Sequence, residues 1–295
     1  FAQSYTEAIE GQIDLHVGRL REAGARLRLA AGGRDTSLKQ TTHYNHAHGN
    51  VWAGVLYAAC VYEGGNLVQA RALLRFAKPL VRELGLPDHL ILTFGLEARI
   101  AFHQGEVDGA LALLDELESL GHQRQLPRAV AAARLERAWL RLHQGRALAA
   151  SEAIAQADVD EVWQRVQQLR LPAHANEDPF IAKTRWSLAF EDAAVAQTLL
   201  QPLQTELAQA SESGHGRRAL KLQLLLAIAR QRAGDWATAL AECRALLERL
   251  ARDGYLRIVL DEGAALVAPL LSRMQNELQR EPRSDPFIVD YLARL

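Results

Sequence analysis

The chain of 295 residues carries a formal net charge of −1 and has a sequence pI of about 6.9, which excludes the clustered basic surplus that wraps nucleic acid or holds an anionic membrane surface. Its two cysteines, Cys60 and Cys243, are far apart in apolar helical stretches. This excludes a disulfide framework and a CxxC metal pattern and favours a reducing, cytoplasmic compartment. Charged residues interrupt every apolar run before the ~18 to 20 residues that span a bilayer.

The first stretch, FAQSYTEAIEG, has neither an initiator Met nor the charged and apolar regions of a signal peptide. The only methionine in the sequence is Met274. We therefore expect the 295 residues to be a fragment of a longer polypeptide.

The composition predicts an all-α fold. Ala, Leu, Arg, Gln and Glu dominate, β-branched residues are sparse, and no window alternates with the period of two that is typical of strands. Apolar positions instead recur at steps of three and four, as they do between residues 67 and 84.

Three histidines, His43, His46 and His48, stand close together in the stretch TTHYNHAHGNVWAG. They fit a metal site, part of an effector pocket, or the polar entrance of a helix. In a helix His43 and His46 would share a face, whereas His48 would point about 200° away from His46. We therefore favour a helix entrance with no metal, in which His46 has a share in ligand contact.

A short phrase, Gly followed five residues later by Ala, recurs along the chain and opens an apolar helix each time. A second helical stretch precedes each phrase, so every unit reads as helix A, a glycine turn and helix B. Such hairpins bury both faces only when they are stacked. The sequence predicts a right-handed, tetratricopeptide-like α-solenoid of about six hairpins with a C-terminal capping segment. The turn glycines are Gly18, Gly65, Gly105, Gly145 and Gly234, and Glu191 takes the place of a missing one.

Proline-containing connections follow several B helices, at 85–89, 125–129 and 169–180. The last is the longest polar break and coincides with the stretched period between Gly145 and Gly234. We expect one domain over residues 1–295, with a candidate seam at 169–180.

The inner, concave face of the solenoid is the expected binding surface. Aromatic rings beside Arg and His provide stacking and directed hydrogen bonds, which suit a sugar or a small aromatic effector. The alternative is that the tryptophans pack between repeats and the arginines solvate the groove. The candidate effector- or partner-binding residues are His46, Trp52, Tyr62, Arg99, His103, Trp139, His143, Arg185 and Lys221.

No catalytic arrangement is recognisable, and we expect no enzyme activity. The adjacent carboxylates at 176–178 and 261–263 diverge on a helix and have no polarised base beside them. Asp261 and Glu262 are instead expected to serve as the cap and first-turn charge of the helix that follows.

The order of three phrases resembles the repeat region of the large ATP-binding LuxR-type transcription activators, the maltose-regulon-activator-like family. The phrases are YEGGNLVQARALLRFAKPLVRELGLPDHLI, then ARIAFHQGEVDGALALLDELESLGHQRQLPRAVAAARLERAWLRLHQG, and finally GYLRIVLDEGAALVAPLL. The resemblance covers nearly the whole chain. The most specific part of the resemblance is a C-terminal motif, which we expect to have a structural role. It consists of Gly254, Arg257, Asp261, Glu262 and Gly263.

The resemblance implies a sensor region that binds a small-molecule inducer or a regulatory protein. It also implies an ATPase domain on the N-terminal side and a helix-turn-helix on the C-terminal side in the full-length protein. This chain has no Gly-x-x-x-x-Gly-Lys-Ser/Thr phosphate loop, so we expect ATP to bind in the missing N-terminal domain. For residues 1–295 we expect no cofactor and no direct contact with nucleic acid. The alternative is a stand-alone scaffold that binds a protein or peptide in its groove.

Overall fold

The computed structural model describes residues 2–32, 44–166, 169, 171–175, 178–280 and 285–295. Within these ranges all regular secondary structure is helical. The all-α, tetratricopeptide-like fold class is thereby confirmed. The chain divides into two compact units, Phe1–Pro179 and Phe180–Leu295. The division falls inside the segment 169–180, and the single-domain organisation stays a prediction.

The first unit contains four helical hairpins and a short irregular end in its described part. Its helices are α1 (Ala2–Val17), α2 (Leu20–Ala30), α3 (Tyr44–Glu63), α4 (Leu67–Leu84), α5 (Pro87–His103), α6 (Val107–Gln123), α7 (Pro127–His143), α8 (Ala147–Ala157) and α9 (Asp160–Val166), followed by a 3-10 helix at Pro172–Ala175.

The second unit contains two hairpins and a C-terminal group of helices. They are α10 (Pro179–Phe190), α11 (Ala193–Glu212), α12 (Gly216–Arg232), α13 (Trp236–Asp253), α14 (Arg257–Leu260), α15 (Ala264–Arg280) and α16 (Pro286–Arg294).

The glycine turns share one backbone conformation. At Gly105 the φ angle is +81°, a left-handed conformation that costs a residue with a Cβ atom about 1–2 kcal/mol. The next amide, that of Glu106, donates to the carbonyl of Ala101 at 2.9 Å, which satisfies a carbonyl that the helix end leaves open. The glycines at 18, 65, 145 and 234 also have positive φ.

The fifth hairpin turns without glycine. Glu191 occupies a bend between α10 and α11, and the side chain of Asp192 accepts hydrogen bonds from the amides of Ala194 and Val195 at 2.9 and 3.1 Å. An aspartate N-cap therefore begins helix B where the left-handed turn is missing.

In the first unit α1, α3, α5 and α7 each pack against their own B helix, and α1, α3 and α5 also contact the next A helix. A fully buried cluster joins Ala98 and Ala101 of α5 with Leu114 of α6 and with Trp139 and Leu140 of α7. The alanine of the repeated phrase is also buried in each hairpin, because only a small side chain fits where helices A and B approach most closely.

The segment after α9 packs back onto the beginning of α5. The amide of Ala173 donates to Asp88 Oδ1 at 2.9 Å, and Arg128 holds both oxygens of the same carboxylate at 2.6 and 2.9 Å. Asp88 begins α5 and Arg128 begins α7, so one carboxylate ties the entrances of two A helices to the 3-10 helix.

The cap assigned to Asp261 and Glu262 is wrong. Both side chains are buried; Asp261 pairs with Arg257, and Glu262 accepts two hydrogen bonds from Arg185 at 2.6 Å each. The carboxylates therefore neutralise buried guanidinium groups and leave the first turn of α15 uncharged.

No helix in the described ranges is both long enough and apolar enough to cross a membrane.

Candidate functional site

Five of the predicted binding residues are buried, which corrects their assignment to an open groove. Tyr62, Arg99 and Trp139 are 1–2% exposed in the first unit, and Arg185 and Lys221 are 2–3% exposed in the second. Trp52 and His143 are half-buried, and His103 is exposed. Effector contact by these residues stays a prediction, and the accessible ones are Trp52, His103 and His143.

Arg99 is held in the interior by an ion pair. Its Nε and Nη2 atoms donate to Glu136 Oε2 and Oε1 at 2.6 and 2.9 Å. The guanidinium carbon also lies 4.7 Å from the ring centre of Trp139, a distance typical of a cation–π contact. Two of the predicted groove residues thus form part of the packing between α5 and α7.

An aromatic–histidine cluster, formed by Phe102, His103, Trp139 and His143, lies at the C-terminal ends of α5 and α7. The ring centres of His103 and His143 are 5.6 and 4.0 Å from that of Trp139, and Phe102 lies 5.7 Å from the same ring. The structure therefore brings three predicted residues together. Because Trp139 is buried, a ligand at this cluster would contact mainly the two imidazoles and the edge of Phe102.

The imidazole of His143 has a defined orientation. Its Nδ1 lies 2.9 Å from the carbonyl oxygen of Trp139, and a carbonyl can only accept, so Nδ1 carries the proton. In the neutral ring Nε2 is then the acceptor.

Trp52 occupies a different place, about two turns into α3. Its ring centre is 4.1 Å from that of His89 in an edge-to-face arrangement, and His89 Nδ1 accepts from the amide of Leu86 at 3.1 Å. His46 and His48 belong to the first turns of α3, as predicted for a helix entrance, and only their backbone is described.

His43 lies outside the described residues. Among the described side chains, no group of three or more His, Cys, Asp or Glu residues is arranged to hold a metal ion.

A groove that sequence reasoning did not find lies between α6, α7 and the end of the last hairpin of the first unit. Its volume is about 400 Å³, within the roughly 300–1,000 Å³ that small-molecule sites occupy. Its walls are mainly apolar. The lining residues are Gly121, His122, Gln125, Leu126, Pro127, Val130, Ala131, Arg134, Gln156, Val159 and Val162.

Two backbone features shape this groove. A Cβ atom on Gly121 would lie 2.7 Å from Val130 Cγ2 and 3.0 Å from Val130 N, so glycine is required where α6 and α7 approach. Gln125 has a φ of +54° and is the non-glycine residue with positive φ in the described part of the chain. Left-handed residues of this kind are strained and are concentrated at functional sites.

The cation of the groove is already neutralised. Arg134 donates through Nε to Glu118 at 2.8 Å and through Nη1 to the carbonyl of Gln156 at 3.0 Å. Burial by itself raises the pKa of Glu118, but hydrogen bonds from Arg134 and Arg137 outweigh it and lower that pKa. Glu118 therefore stays ionised at neutral pH, and the groove is an apolar surface beside a fixed ion pair.

The sequence contains one signal for this groove, the Pro-containing connection at 125–129. That signal predicts a turn but gives no indication of a cavity, because the walls come from four helices, α6 to α9. Gln125 could not be recognised as left-handed, since Gln has no preference for that conformation.

Comparison with known protein families shows to which family the chain belongs. The model of the MalT-like TPR region matches residues 5–277. The chain belongs to this family. The match includes all six hairpins and most of α15.

Comparison with curated proteins finds no match. Membership in the MalT-like TPR region family confirms the resemblance that the ordered phrases indicate. It accounts for the repeated hairpins and for the buried C-terminal motif, whereas binding depends on individual surfaces.

Proposed function

We propose that this MalT-like TPR region is the effector- or partner-sensing region of a bacterial LuxR-type, ATP-dependent transcription regulator located in the cytoplasm. The observation that carries the proposal is the family match over residues 5–277. Its role is binding rather than catalysis, and ATP would be bound by another domain of the same protein.

The groove beside Gln125 is the site that we assign to the effector. It has the volume of a small-molecule site, mainly apolar walls and a strained residue at its rim. A compact effector with an apolar body fits these properties, because the charge of Arg134 is already neutralised by Glu118.

An effector would regulate the protein by binding one conformation better than another. Preferential binding shifts the equilibrium only by the difference in the two affinities. The walls of the groove come from α6, α7, the end of α8 and α9, so a ligand that contacts all of them favours one spacing of these helices. The ATPase domain would respond to that spacing.

A thermal-shift screen of small metabolites tests this proposal. At a hundred times its dissociation constant a ligand stabilises by about 2.7 kcal/mol, or roughly 5–10 °C in a chain of this size. Val159→Trp fills the mouth of the groove and should abolish the shift. Leu148→Trp is the matched control, because Leu148 is 80% exposed on α8 and does not line the groove.

An equal shift in Val159→Trp and the wild-type chain would move the effector to another surface. His103→Ala then tests the aromatic–histidine cluster, and Trp52→Ala tests the α3 entrance. Trp139→Ala is unsuitable as a binding probe, because this buried ring stabilises the core. If no metabolite shifts the melting temperature and a protein partner is detected, sensing belongs to that partner.

A scaffold that binds a protein segment is the second candidate. The exposed imidazole of His103 beside half-buried Phe102 favours it, since an accessible aromatic edge suits a peptide side chain as well as a small molecule. Reading the gene on both sides of the 295 residues distinguishes the two: a phosphate-loop ATPase upstream and a helix-turn-helix downstream support the regulator, whereas their absence supports the scaffold.

A further inference from the structure

Helix α1 carries an exposed apolar stripe. Tyr5, Ile9 and Ile13 are 61%, 43% and 48% exposed, and their spacing of four residues places them on one side of the helix. Arg26 of α2 binds Glu7 and Asp14 of α1 at 3.1 and 3.0 Å. These ion pairs hold α1 on α2 and leave the stripe facing away from its own hairpin.

The same positions are buried in α5 and α7, and in α3 two of the three are buried while Trp52 is half-buried. Tyr5, Ile9 and Ile13 stand thirteen, nine and five residues before the turn glycine Gly18. At the same three distances before Gly105, α5 has side chains that are at most 1% exposed: Leu92, Leu96 and Ile100. The stripe is therefore a repeat-interface surface that is open in α1.

The structure shows what covers these positions elsewhere. In α7 the residue nine before the turn is Glu136, which pairs with Arg99 of the preceding A helix. The residue five before the turn is Leu140, which packs against Ala101 and Leu114 of the preceding hairpin.

The first repeat interface follows the same rule. Cys60 stands five residues before the turn glycine of α3, and a Cβ atom built on Gly24 of α2 would lie 3.8 Å from Cys60 Cβ. In both interfaces the preceding hairpin covers the position.

We propose that Tyr5, Ile9 and Ile13 form a docking face for a further helical hairpin, which directly precedes α1 in the intact polypeptide. The connections favour this source over a second molecule. α4 ends at Leu84 and α5 begins at Pro87, and α6 ends at Gln123 and α7 begins at Pro127. These two short connections place α5 directly beside the hairpin α3–α4 and α7 directly beside the hairpin α5–α6. By the same geometry, a hairpin joined to α1 by a short connection would lie on the side of the open stripe.

The stripe also defines the chemistry of its occupant. Ile9 takes the position at which α7 has the carboxylate of Glu136, so the hairpin that covers it should have an apolar residue where α5 has Arg99. A buried cation there would have no counter-charge. Opposite Ile13 the hairpin needs small residues, as Gly24 and Ala101 are in the interfaces described.

Cysteine labelling tests the docking face. Ile9→Cys and Ile13→Cys report on the stripe, and Val68→Cys is the matched control on α4, where Val68 is 77% exposed. The native Cys60 and Cys243 are buried and give a slow background. Each variant is labelled with a maleimide, once in the 295-residue chain and once in the intact gene product.

The expected result is similar labelling of all three variants in the 295-residue chain. In the intact gene product both stripe cysteines should react at least about tenfold more slowly than the cysteine at position 68. Equal rates at the stripe and at position 68 in the intact product would overturn the proposal. Protection that disappears on dilution would also overturn it, because it would identify the occupant as a second copy.

Discussion

Arg99 of α5 and Glu136 of α7 form a bidentate ion pair between successive repeats, with Nε–Oε2 and Nη2–Oε1 distances of 2.6 and 2.9 Å. Both side chains are at most 4% exposed. Two charges removed from water in this way stabilise the fold little as a pair, but each depends on the other.

Replacing one partner of this pair should be strongly destabilising. Arg99→Met leaves the carboxylate of Glu136 buried without its counter-charge, and we expect the free energy of unfolding to fall by about 3–5 kcal/mol. Urea denaturation of the variant and the wild-type chain measures the difference.

Two further variants control this experiment. Arg99→Met combined with Glu136→Met should recover most of the loss, because no unpaired charge remains. Arg82→Met breaks an ion pair with Glu116 in which Arg82 is 63% exposed, and should cost about 1 kcal/mol or less. Equal losses for Arg99→Met and Arg82→Met would contradict the prediction.

The second unit contains a comparable pair, and Glu262→Ala tests it. The variant removes the carboxylate that accepts two hydrogen bonds from the buried guanidinium of Arg185, so we expect a loss of about 3–5 kcal/mol in the free energy of unfolding. A charge in the first turn of a helix contributes only about 0.3–1 kcal/mol. Thermal or chemical unfolding therefore distinguishes a buried counter-charge from a cap.

Glu277→Ala is the control on the same helix, because Glu277 pairs with Arg273 and is 43% exposed. Its effect should be within about 1 kcal/mol. A loss for Glu262→Ala as small as this would return Glu262 to the role of a first-turn charge.

Replacing two glycines of α6 by alanine should change the free energy of unfolding in opposite directions. Gly121→Ala drives a methyl group against the side chain and backbone of Val130, and we expect a loss of about 1–3 kcal/mol. In Gly109→Ala the nearest atom is Glu106 Cβ at 3.8 Å, an ordinary contact, so the higher helix propensity of Ala should stabilise by up to about 1 kcal/mol. The denaturation midpoints of the two variants show whether each substitution stabilises or destabilises the chain. A stabilised Gly121→Ala variant would contradict the prediction, because it would show that α6 and α7 can separate at no cost in free energy.

The stability of the chain should fall at alkaline pH through Cys243. Burial raises the pKa of this thiol from 9.0 to about 12. Since the folded pKa lies above the unfolded one, the contribution of the thiol to stability is complete below about pH 9 and is lost as the pH rises towards 12. We expect the free energy of unfolding of the wild-type chain to fall by about 1 kcal/mol more than that of Cys243→Ala between pH 8 and pH 10.

Urea denaturation of both proteins at several pH values measures this difference. The comparison with Cys243→Ala cancels the titration of tyrosines, lysines and Cys60, which are the same in both. Parallel pH profiles would mean that the thiol is accessible to water in the folded chain.

The turns and the helical hairpins could be predicted from the sequence because their causes are local. A left-handed turn requires glycine, as at Gly105, and a close approach of two helices requires alanine five residues later. The order of these phrases was sufficient to indicate the family. The turn at Glu191 was also recognisable, because the spacing of the neighbouring units left one place for it.

The positions of the arginines could not be predicted in the same way. An arginine on an A helix has the same sequence signature whether it faces water or a buried carboxylate. Glu136 follows Arg99 by 37 residues and Glu262 follows Arg185 by 77, so no local pattern links the partners. The groove beside Gln125 could not be predicted for a related reason, since four helices supply its walls.

The pairing of Arg99 with Glu136 also bears on how such a protein can evolve. Excising the hairpin α5–α6 at the connections on either side of it separates the two charges, because Arg99 leaves with the hairpin and Glu136 of α7 remains. Deleting or exchanging that hairpin alone would therefore bury a charge without its partner. The hairpins that carry these charges have to be inherited together, in a fixed order.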